Sequence, residues 1–457
     1  MKLSEIIKYE VAFPKYRATG QMLQSSSTVK SQHCICYVDE DLFTLSFSAA
    51  SKIIDESCAI DAIFFATSTP VFKERYHASF MADLLGLKQG IFAMDIISTA
   101  RAGTDALLLA DKLVNAGQYK NILLIAANVD FAAIGDENQS SGHAAMAMVI
   151  STEKGLAEIS SSESFSSSFA EEFYYKGQKT VYDLRFSRSA GFKANIENAW
   201  IKTAPQNGKF GGIIINSPYA RMILGIMKKS GFDTDKQLLK DNVKSMVGNT
   251  AACHALLLLI SAIENCNGSV LLFDYMNGTN VISLKIKSKP DIPKLANLEF
   301  INIESYHDYL KLRKQGDFTD INYRHQEMFS SEMMMEREKG RLLYLMADEC
   351  TKCHSVFLIK IARCNHCHGK EFFEKKLQRK GTVYTLTSEL YFPSSFPPIN
   401  MIVIDIDGGG RLTLQQTDDL YSTEENKIKI GDRVELVYRK MIENDSKPNY
   451  FWKCIKI

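Results

Sequence analysis

The chain lacks an excess of charge of either sign. Its 54 Lys and Arg stand against 53 Asp and Glu, a formal charge of +1 over 457 residues. Global electrostatics therefore give no pull toward nucleic acid or a membrane surface. There is no uninterrupted apolar run of about 18 residues, so no membrane-spanning helix is expected. The opening MKLSEIIKYEVAF has no basic region followed by a long apolar core, so no export leader is expected. Without an export signal, the ten cysteines read as reduced cytoplasmic thiols rather than a disulfide framework. What is present is ordinary for a globular chain, 46% hydrophobic and 23% charged, and the length calls for two or three domains.

Four of the cysteines are not scattered. Cys350-x2-Cys353 and Cys364-x2-Cys367 form two knuckles. Each short loop places two sulfurs on one side of an ion, and two loops complete a closed tetrahedral zinc site. A closed site has no open position for substrate, so zinc here is expected to be structural. His354, His366 and His368 lie among the knuckles and could replace a ligand, but four cysteines suffice.

Strand and helix patterns alternate upstream. AIDAIFFAT (59–67), GIFAMDII (90–97), KNILLIAA (120–127), AAMAMVIS (144–151) and KFGGIIINS (209–217) read as strands. ASFMADLLGL (78–87), TDALLLADKLVNAG (104–117), RMILGIMKKSG (221–231) and TAACHALLLLISAIENC (250–266) read as helices, and 269–286 as a hairpin about Asn277-Gly278. The alternation predicts an α/β fold with sheet covered by helices, and its weaker return suggests two related halves. SSSESFSSSF (160–169) reads as an exposed loop or cap region. KSKPDIPK (287–294) ends the first domain, and residues 300–345 read as polar helix with Met333, Met334 and Met335 as core filling or a partner groove. Beyond the knuckles, 381–392, 399–406, 411–416, 432–441 and 450–457 alternate with period two and fit a small five-stranded OB-type barrel. Gly408-Gly409-Gly410 is a turn without the strand–helix context of a phosphate loop.

ATSTP (66–70), AMDIISTARAG (93–103), INSPYARM (215–222) and GNTAAC (248–253) occur in this order. Together they resemble the thiolase superfamily, in particular ketoacyl-ACP synthase III and hydroxymethylglutaryl-CoA synthase. The resemblance covers roughly residues 1–288 and implies a duplicated thiolase-like fold. It also implies a cysteine at a buried helix N-terminus, where dipole and backbone N–H groups favour the thiolate that takes an acyl group. A histidine and an asparagine complete the family's site. Here the cysteine position is Arg101 and the histidine position is Asn216; Asn249 retains the asparagine. The acidic residue of the hydroxymethylglutaryl branch is Ser68. Arginine has no lone pair to offer as a nucleophile, and asparagine cannot act as a base at neutral pH. The site is therefore expected to form no acyl-enzyme. Cys253 is the best substitute nucleophile, although a buried apolar role fits it better. His254 and His143 read as structural. Arg101 either binds an anion or closes the pocket by pairing with a carboxylate such as Asp95 or Asp105.

Residues 345–457 resemble the zinc-ribbon OB-fold proteins that accompany thiolases and hydroxymethylglutaryl-CoA synthases, on the four cysteines, Gly381-Thr-Val-Tyr384-Thr385 and Gly431-Asp-Arg-Val434. The expected organisation is a thiolase-like domain (1–288), a linker and helical segment (289–345), a zinc ribbon (346–380) and an OB domain (381–457). The resemblance implies a non-catalytic bridging domain, with structural zinc and a CoA or phosphopantetheine thioester as ligand. The expected protein is a cytoplasmic acyltransferase-family subunit, inactive alone, in a homo- or heterodimer or larger assembly with a thiolase or ketoacyl synthase. An acyl carrier protein is a further partner; no nucleic acid or membrane partner is expected. Two alternatives remain: direct acyl transfer without a covalent cysteine intermediate, and a nucleic-acid-binding OB module using Lys375, Lys376, Arg379 and Lys380 with Tyr384, Tyr391 and Phe392.

Overall fold

Apolar runs too short for a buried helix become strands of one central sheet. The computed structural model describes residues 3–23, 32–54, 58–130, 141–176, 178–203, 210–313, 332–390, 394, 396–424, 426–443 and 448–457. The chain divides into two compact units, Met1–Ile35 with Leu45–Ile303, and Cys36–Thr44 with Glu304–Ile457.

The strands of the first unit are β1 (Glu5–Ala12), β2 (Tyr16–Thr19), β3 (Gln32–Ile35), β4 (Ala62–Thr67), β5 (Phe92–Ile97), β6 (Asn121–Asn128), β7 (Ala144–Ser151), β8 (Ala157–Ser166), β9 (Glu172–Tyr175), β10 (Gln178–Val181), β11 (Gly212–Asn216), β12 (Gly268–Tyr275), β13 (Gly278–Ile286) and β14 (Ile301–Asn302). Nine make one sheet in the order β11-β12-β13-β8-β1-β7-β6-β4-β5. Its centre is the antiparallel pair β1–β8. Outward from β1 come antiparallel β7, antiparallel β6, then parallel β4 and β5. Outward from β8 come antiparallel β13, antiparallel β12, then parallel β11. The two wings repeat one sequence of pairings, which is the duplication that the sequence pattern suggested.

Two helices, Ala102–Asn115 and His254–Asn265, join the wings in one core. The second is apolar on every side over residues 255–260, and Leu256, Leu257, Leu259 and Ile260 are fully buried, as such a stretch must be in water. Each such side chain contributes about 1.5–3 kcal/mol. Gly103 lets the helices approach: a Cβ there would run into the Ala252 carbonyl oxygen. On the outer face of the second wing, Trp200 of the helix Ala194–Thr203 stacks on Phe273 at 5.5 Å and donates to Ser230 at 2.9 Å.

Most of the serine-rich segment, residues 160–166, is strand rather than loop. Residues 157–166 form β8, between β1 and β13. Ile159 is buried in the core, and the Ser162 hydroxyl donates to the buried Asp111 carboxylate, which Ser4 also reaches at 2.6 Å. Pairing on both sides overrides the weak strand preference of serine, and its hydroxyls satisfy a carboxylate on the central helix.

The second unit holds β15 (Met346–Cys350), β16 (Val356–Phe357) and β17 (Phe372–Lys376) in one small sheet. A second sheet holds β18 (Lys380–Glu389), β19 (Ile399–Ile406), β20 (Arg411–Gln415), β21 (Arg433–Glu443) and β22 (Pro448–Lys456), in the order β20-β19-β18-β21-β22. A bridge from Gln416 to Cys454 brings its edges together, giving a nearly closed five-stranded barrel. Alternate residues such as Ile402, Ile404, Val434, Leu436 and Trp452 fill it. Of the expected helical stretch, Tyr306–Leu312 and Glu332–Leu342 are helices, and 314–331 lie outside the described residues. Met333 is exposed rather than core. No helix among the described residues is long and apolar enough to cross a membrane.

Candidate functional site

Strand β5 ends at Ile97, and the turn Ser98–Arg101 leads into the helix beginning at Ala102. That turn carries no cysteine. Arg101 occupies the N-cap, with its side chain only 12% exposed. Its Nε lies 3.2 Å from Asp105 Oδ1, one helical turn on, and its Nη1 is 3.4 Å from the Asn277 carbonyl. The pairing partner is thus Asp105. Asp95 instead holds His77: the Val71 and Phe72 amides donate to His77 Nε2, so Nδ1 donates to Asp95 Oδ2 at 2.8 Å. A cation at a helix N-terminus is disfavoured by the dipole by about 0.3–1 kcal/mol, and Asp105 in the first turn offsets this.

Around this pair lies a buried polar cluster. Asn280 donates to Asp105 Oδ1 at 2.7 Å and to Thr104 Oγ1 at 2.9 Å. Thr104 donates to Asp274 Oδ2 at 2.6 Å, and Asn216 Nδ2 donates to Asp274 Oδ1 at 2.8 Å. Burial pushes the Asp274 carboxyl up to about 6, against the pull of those two hydrogen bonds and of the Arg101 charge. Arg101 and Asn216, 115 positions apart by their numbers (216 − 101), are therefore brought into one network. The hairpin turn at Asn277-Gly278 closes it. Gly278 has φ +112°, and a Cβ there would meet the Phe165 carbonyl and the Arg101 guanidinium. Among the described residues, the buried acceptors Asn277 Oδ1 and Asn280 Oδ1 face no donor.

Asn249 follows the positive-φ Gly248. Its carbonyl accepts from Gly142 at 2.8 Å and its Oδ1 from Ala251 at 3.1 Å. The close approach of Gly103 to Ala252 brings the turn after Asn249 against the start of the Arg101 helix. Cys253 is buried, its thiol 2.8 Å from the Ala126 carbonyl, and burial raises its pKa far above the ordinary thiol value. That is the opposite of an activated nucleophile. His254 bridges Asp241 (2.8 Å) and Thr250 (3.2 Å). Burial raises the Asp241 carboxyl, but the His254 bond and the Lys244 amide more than reverse this. His143 is buried against the Asp130 carbonyl at 2.9 Å. Both are structural histidines. Ser68 donates to Asn128 at 2.7 Å.

Asp274 and Thr104 escaped the sequence reading. The available signal was one acid inside the apolar run VLLFDY; buried charges need a reason.

In the second unit, the Sγ atoms of Cys350, Cys353, Cys364 and Cys367 all lie within 4.8 Å of one another. Cys350–Cys367 is 3.5 Å and Cys353–Cys364 is 3.4 Å. A tetrahedron of Zn–S bonds of about 2.3 Å needs sulfurs about 3.8 Å apart, so the four residues fit zinc. The knuckles match each other: His354 and His368 have φ +59° and +56°, and their amides donate to the Cys350 and Cys364 carbonyls, each at 3.0 Å. A hydrogen bond with Ser355 brings the Cys353 thiol down to about 6. His354 turns to Glu349 at 2.8 Å, and Glu349 also pairs with Lys375 at 2.6 Å. The histidine is thus engaged in holding a carboxylate beside the cysteines.

Two of the four basic side chains of the run, Lys375 and Arg379, are engaged within the second unit. Lys375 is held by Glu349 and by the Gly408 carbonyl at 2.7 Å, and Arg379 stacks over Trp452 at 4.9 Å. The Tyr384 ring is covered by Arg411 at 3.5 Å. Tyr391 and Phe392 lie outside the described residues.

The duplicated sheet with buried central helices defines a thiolase-like fold, here joined to a zinc ribbon and an OB barrel. The chain's homologues are hydroxymethylglutaryl-CoA synthase-like. It is 27% identical over 243 residues to the hydroxymethylglutaryl-CoA synthase of Aeropyrum pernix, covering 50% of this chain and 66% of that one. It is 22% identical over 339 residues to that of Methanosphaera stadtmanae, covering 68% of this chain and 98% of the relative. Among solved structures, an HMG-CoA synthase complexed with CoA aligns with TM-score 0.59 at 16% identity, over 72% of this chain and 94% of that one. The 3-oxoacyl-[acyl-carrier-protein] synthase III of Aquifex aeolicus VF5 aligns with TM-score 0.52 at 19% identity, over 62% and 99%. The HMG synthase of the curacin pathway in complex with acetyl donor-ACP aligns with TM-score 0.55 at 15% identity, over 63% and 80%. No family profile matches the chain.

Proposed function

We propose that the chain is a catalytically degenerate thiolase-superfamily subunit. It pairs with a thiolase or ketoacyl synthase that supplies the nucleophilic cysteine. The assembly performs acyl transfer or Claisen-type condensation on CoA or carrier-protein thioesters in the cytoplasm. The zinc-ribbon OB unit, with Cys350, Cys353, Cys364 and Cys367 holding zinc, bridges subunits and helps hold CoA. The observation that carries this reading is Arg101, locked to Asp105 at the helix N-terminus where the resemblance calls for a thiolate. Cys253, buried against the Ala126 carbonyl, offers no replacement. The edge strand β5 supports a partner: Phe92, Met94 and Ile97 are exposed on a strand that, among the described residues, is paired on one side only.

The test is condensation of acetyl-CoA by the purified chain, alone and with an added thiolase-fold synthase that carries an active-site cysteine. No turnover alone, and turnover altered by the mixture, supports the reading. Turnover by the isolated chain that disappears in Asn249→Ala contradicts it.

One observation favours the second reading, direct acyl transfer. Asp274 is a fully buried carboxyl near 6 beside Asn216, and such a group can accept a proton near neutral pH. Turnover by the isolated chain with no covalent acyl adduct, lost in a folded Asp274→Asn variant, would support it.

A further inference from the structure

The stretch from β9 into the helical turn Ser187–Lys193 lies on the outer face of the second wing. Phe192 packs on Tyr275 at 5.1 Å and on Tyr219 at 5.7 Å, beside the Trp200–Phe273 stack. Side chains alternate along β12, so Asp274, between Phe273 and Tyr275, points to the opposite face. The stretch is therefore no part of the candidate site. Its root is fixed: the Tyr182 amide donates to the Glu171 carbonyl at 2.9 Å, and the Tyr275 hydroxyl donates to the buried Glu171 carboxylate. Beyond that root it is uncovered.

Among the described residues, β9 and β10 pair only with each other. Their register puts Phe173 and Tyr175 on one face of the hairpin, and Tyr174 and Val181 on the other. All four are exposed, Tyr174 at 70% and Tyr175 at 65%. Of residues 181–190 only Ser187 is buried, so Tyr182, Leu184 and Phe186 stand in water as well. A two-stranded hairpin is marginal in water by itself, and an apolar cluster of this size marks a protein or membrane contact. A flat protein surface covers one face of a hairpin. A lipid interface takes both, because lipids pack around whatever enters. Tyrosine rings favour the headgroup level, where lysine and arginine reach the phosphates.

The charge agrees. Residues 172–202 hold six basic side chains and three acidic ones. Asp183 pairs with Arg185 and Glu197 with Lys193. Lys176, Arg188 and Lys202 are exposed and have no ion-pair partner among the described residues, and the Lys176 ammonium lies 5.4 Å from the Tyr175 ring. The zinc ribbon is more basic, with eight basic side chains against two acidic ones over 352–380, yet Ile359 and Phe373 are the only large apolar side chains it exposes over those residues. Cations and apolar anchors come together on the hairpin surface.

We propose that the β9–β10 hairpin and residues 182–186 seat the protein on an anionic lipid bilayer. Tyr174, Tyr175 and Phe186 enter the interface, and Lys176 and Arg188 meet lipid phosphates. The attachment is peripheral, made by rings and charge rather than by a spanning helix. It goes beyond the acyl-transfer reading and does not depend on it.

The test is flotation of the full chain with extruded vesicles of phosphatidylcholine alone, or of equimolar phosphatidylcholine and phosphatidylglycerol, at low and high salt. The chain should bind the mixed vesicles about tenfold more tightly than the neutral ones, and this preference should fade as salt rises. Tyr174→Ser with Tyr175→Ser should weaken binding to both vesicles while the circular dichroism spectrum stays unchanged. Lys176→Glu with Arg188→Glu should remove only the preference for anionic lipid. Independently of the variants, hydrogen exchange over residues 172–188 should slow when mixed vesicles are added. No flotation with mixed vesicles, or protection that excludes 172–188, overturns the proposal. Loss of flotation in Lys352→Glu with Arg363→Glu, while the hairpin variants bind normally, also overturns it and assigns the contact to the ribbon. A fall in oligomeric mass of the tyrosine variant with unchanged flotation overturns it too, and assigns the surface to a second copy of the chain. None of these outcomes bears on acetyl labelling, which decides the degenerate-subunit reading.

Discussion

Asp39 and Lys453, 414 positions apart, form a buried ion pair at 2.8 Å in the second unit. Thr417 donates to the same Asp39 oxygen at 2.7 Å. Arg439 adds bonds to Glu40 at 3.1 Å and Asp418 at 2.8 Å. Burial pushes Glu40 up to about 8, with Arg439 pulling the other way. Tyr450 donates to Asp41 at 2.6 Å. The segment Cys36–Thr44 is therefore part of the barrel unit, supplying counter-ions to two buried cations of β21 and β22.

Removing one member of such a network leaves a buried charge uncompensated. Asp39→Asn should destabilise the protein by about 3–5 kcal/mol, read as a lower midpoint in urea. Adding Lys453→Met should recover part of the loss, because both charges are then gone. Equal stability of Asp39→Asn and wild type would contradict the network.

Asp274 predicts a pH signature. Its folded pKa, about 6, lies above the ordinary carboxylate value, so the folded state binds its proton more tightly than the unfolded state. Its contribution is favourable to folding below about pH 4 relative to pH 7, and stability falls as pH rises between about 4 and 6. Asp274→Asn lacks this dependence. The stability of the variant minus that of wild type should rise from pH 4 to pH 7, by on the order of 2 kcal/mol. The difference cancels the titration of Glu40 and of Asp419, which burial also pushes up to about 6. A difference that stays flat with pH would mean that Asp274 is not desolvated.

The knuckles predict one zinc per chain bound by four thiolates. X-ray absorption should give four Zn–S distances of about 2.3 Å. Chelation, or Cys364→Ser, should remove the metal and lower the melting midpoint of the protein. Full stability after complete metal loss would contradict a structural zinc.

Much of this architecture is legible in the residues because its causes are local. AIFFAT and NILLIAAN are buried along their whole length in β4 and β6, and such runs read as strands. Asn277-Gly278 marked its hairpin because both residues take positive φ. The knuckles follow from cysteine spacing alone. That Arg101 cannot itself serve as a nucleophile was also visible, since no side-chain placement turns a guanidinium into a thiolate. What stayed hidden depends on distant partners. Serine-rich β8 is a strand because β1, β13 and Asp111 receive it. Residues 36–44 look like the rest of the first unit until Arg439 and Lys453 are placed beside them. Asp95 and Asp105 were equal candidates for Arg101 until the fold gave Asp95 to His77.

The most direct measurement is intact-mass analysis of the purified chain after incubation with acetyl-CoA, alone and with an added cysteine-bearing thiolase-fold synthase. The account predicts an acetyl adduct on the added synthase and none on this chain. An acetyl adduct on this chain, at Cys253 or any other residue of the first unit, would contradict the claim that its own active site is degenerate.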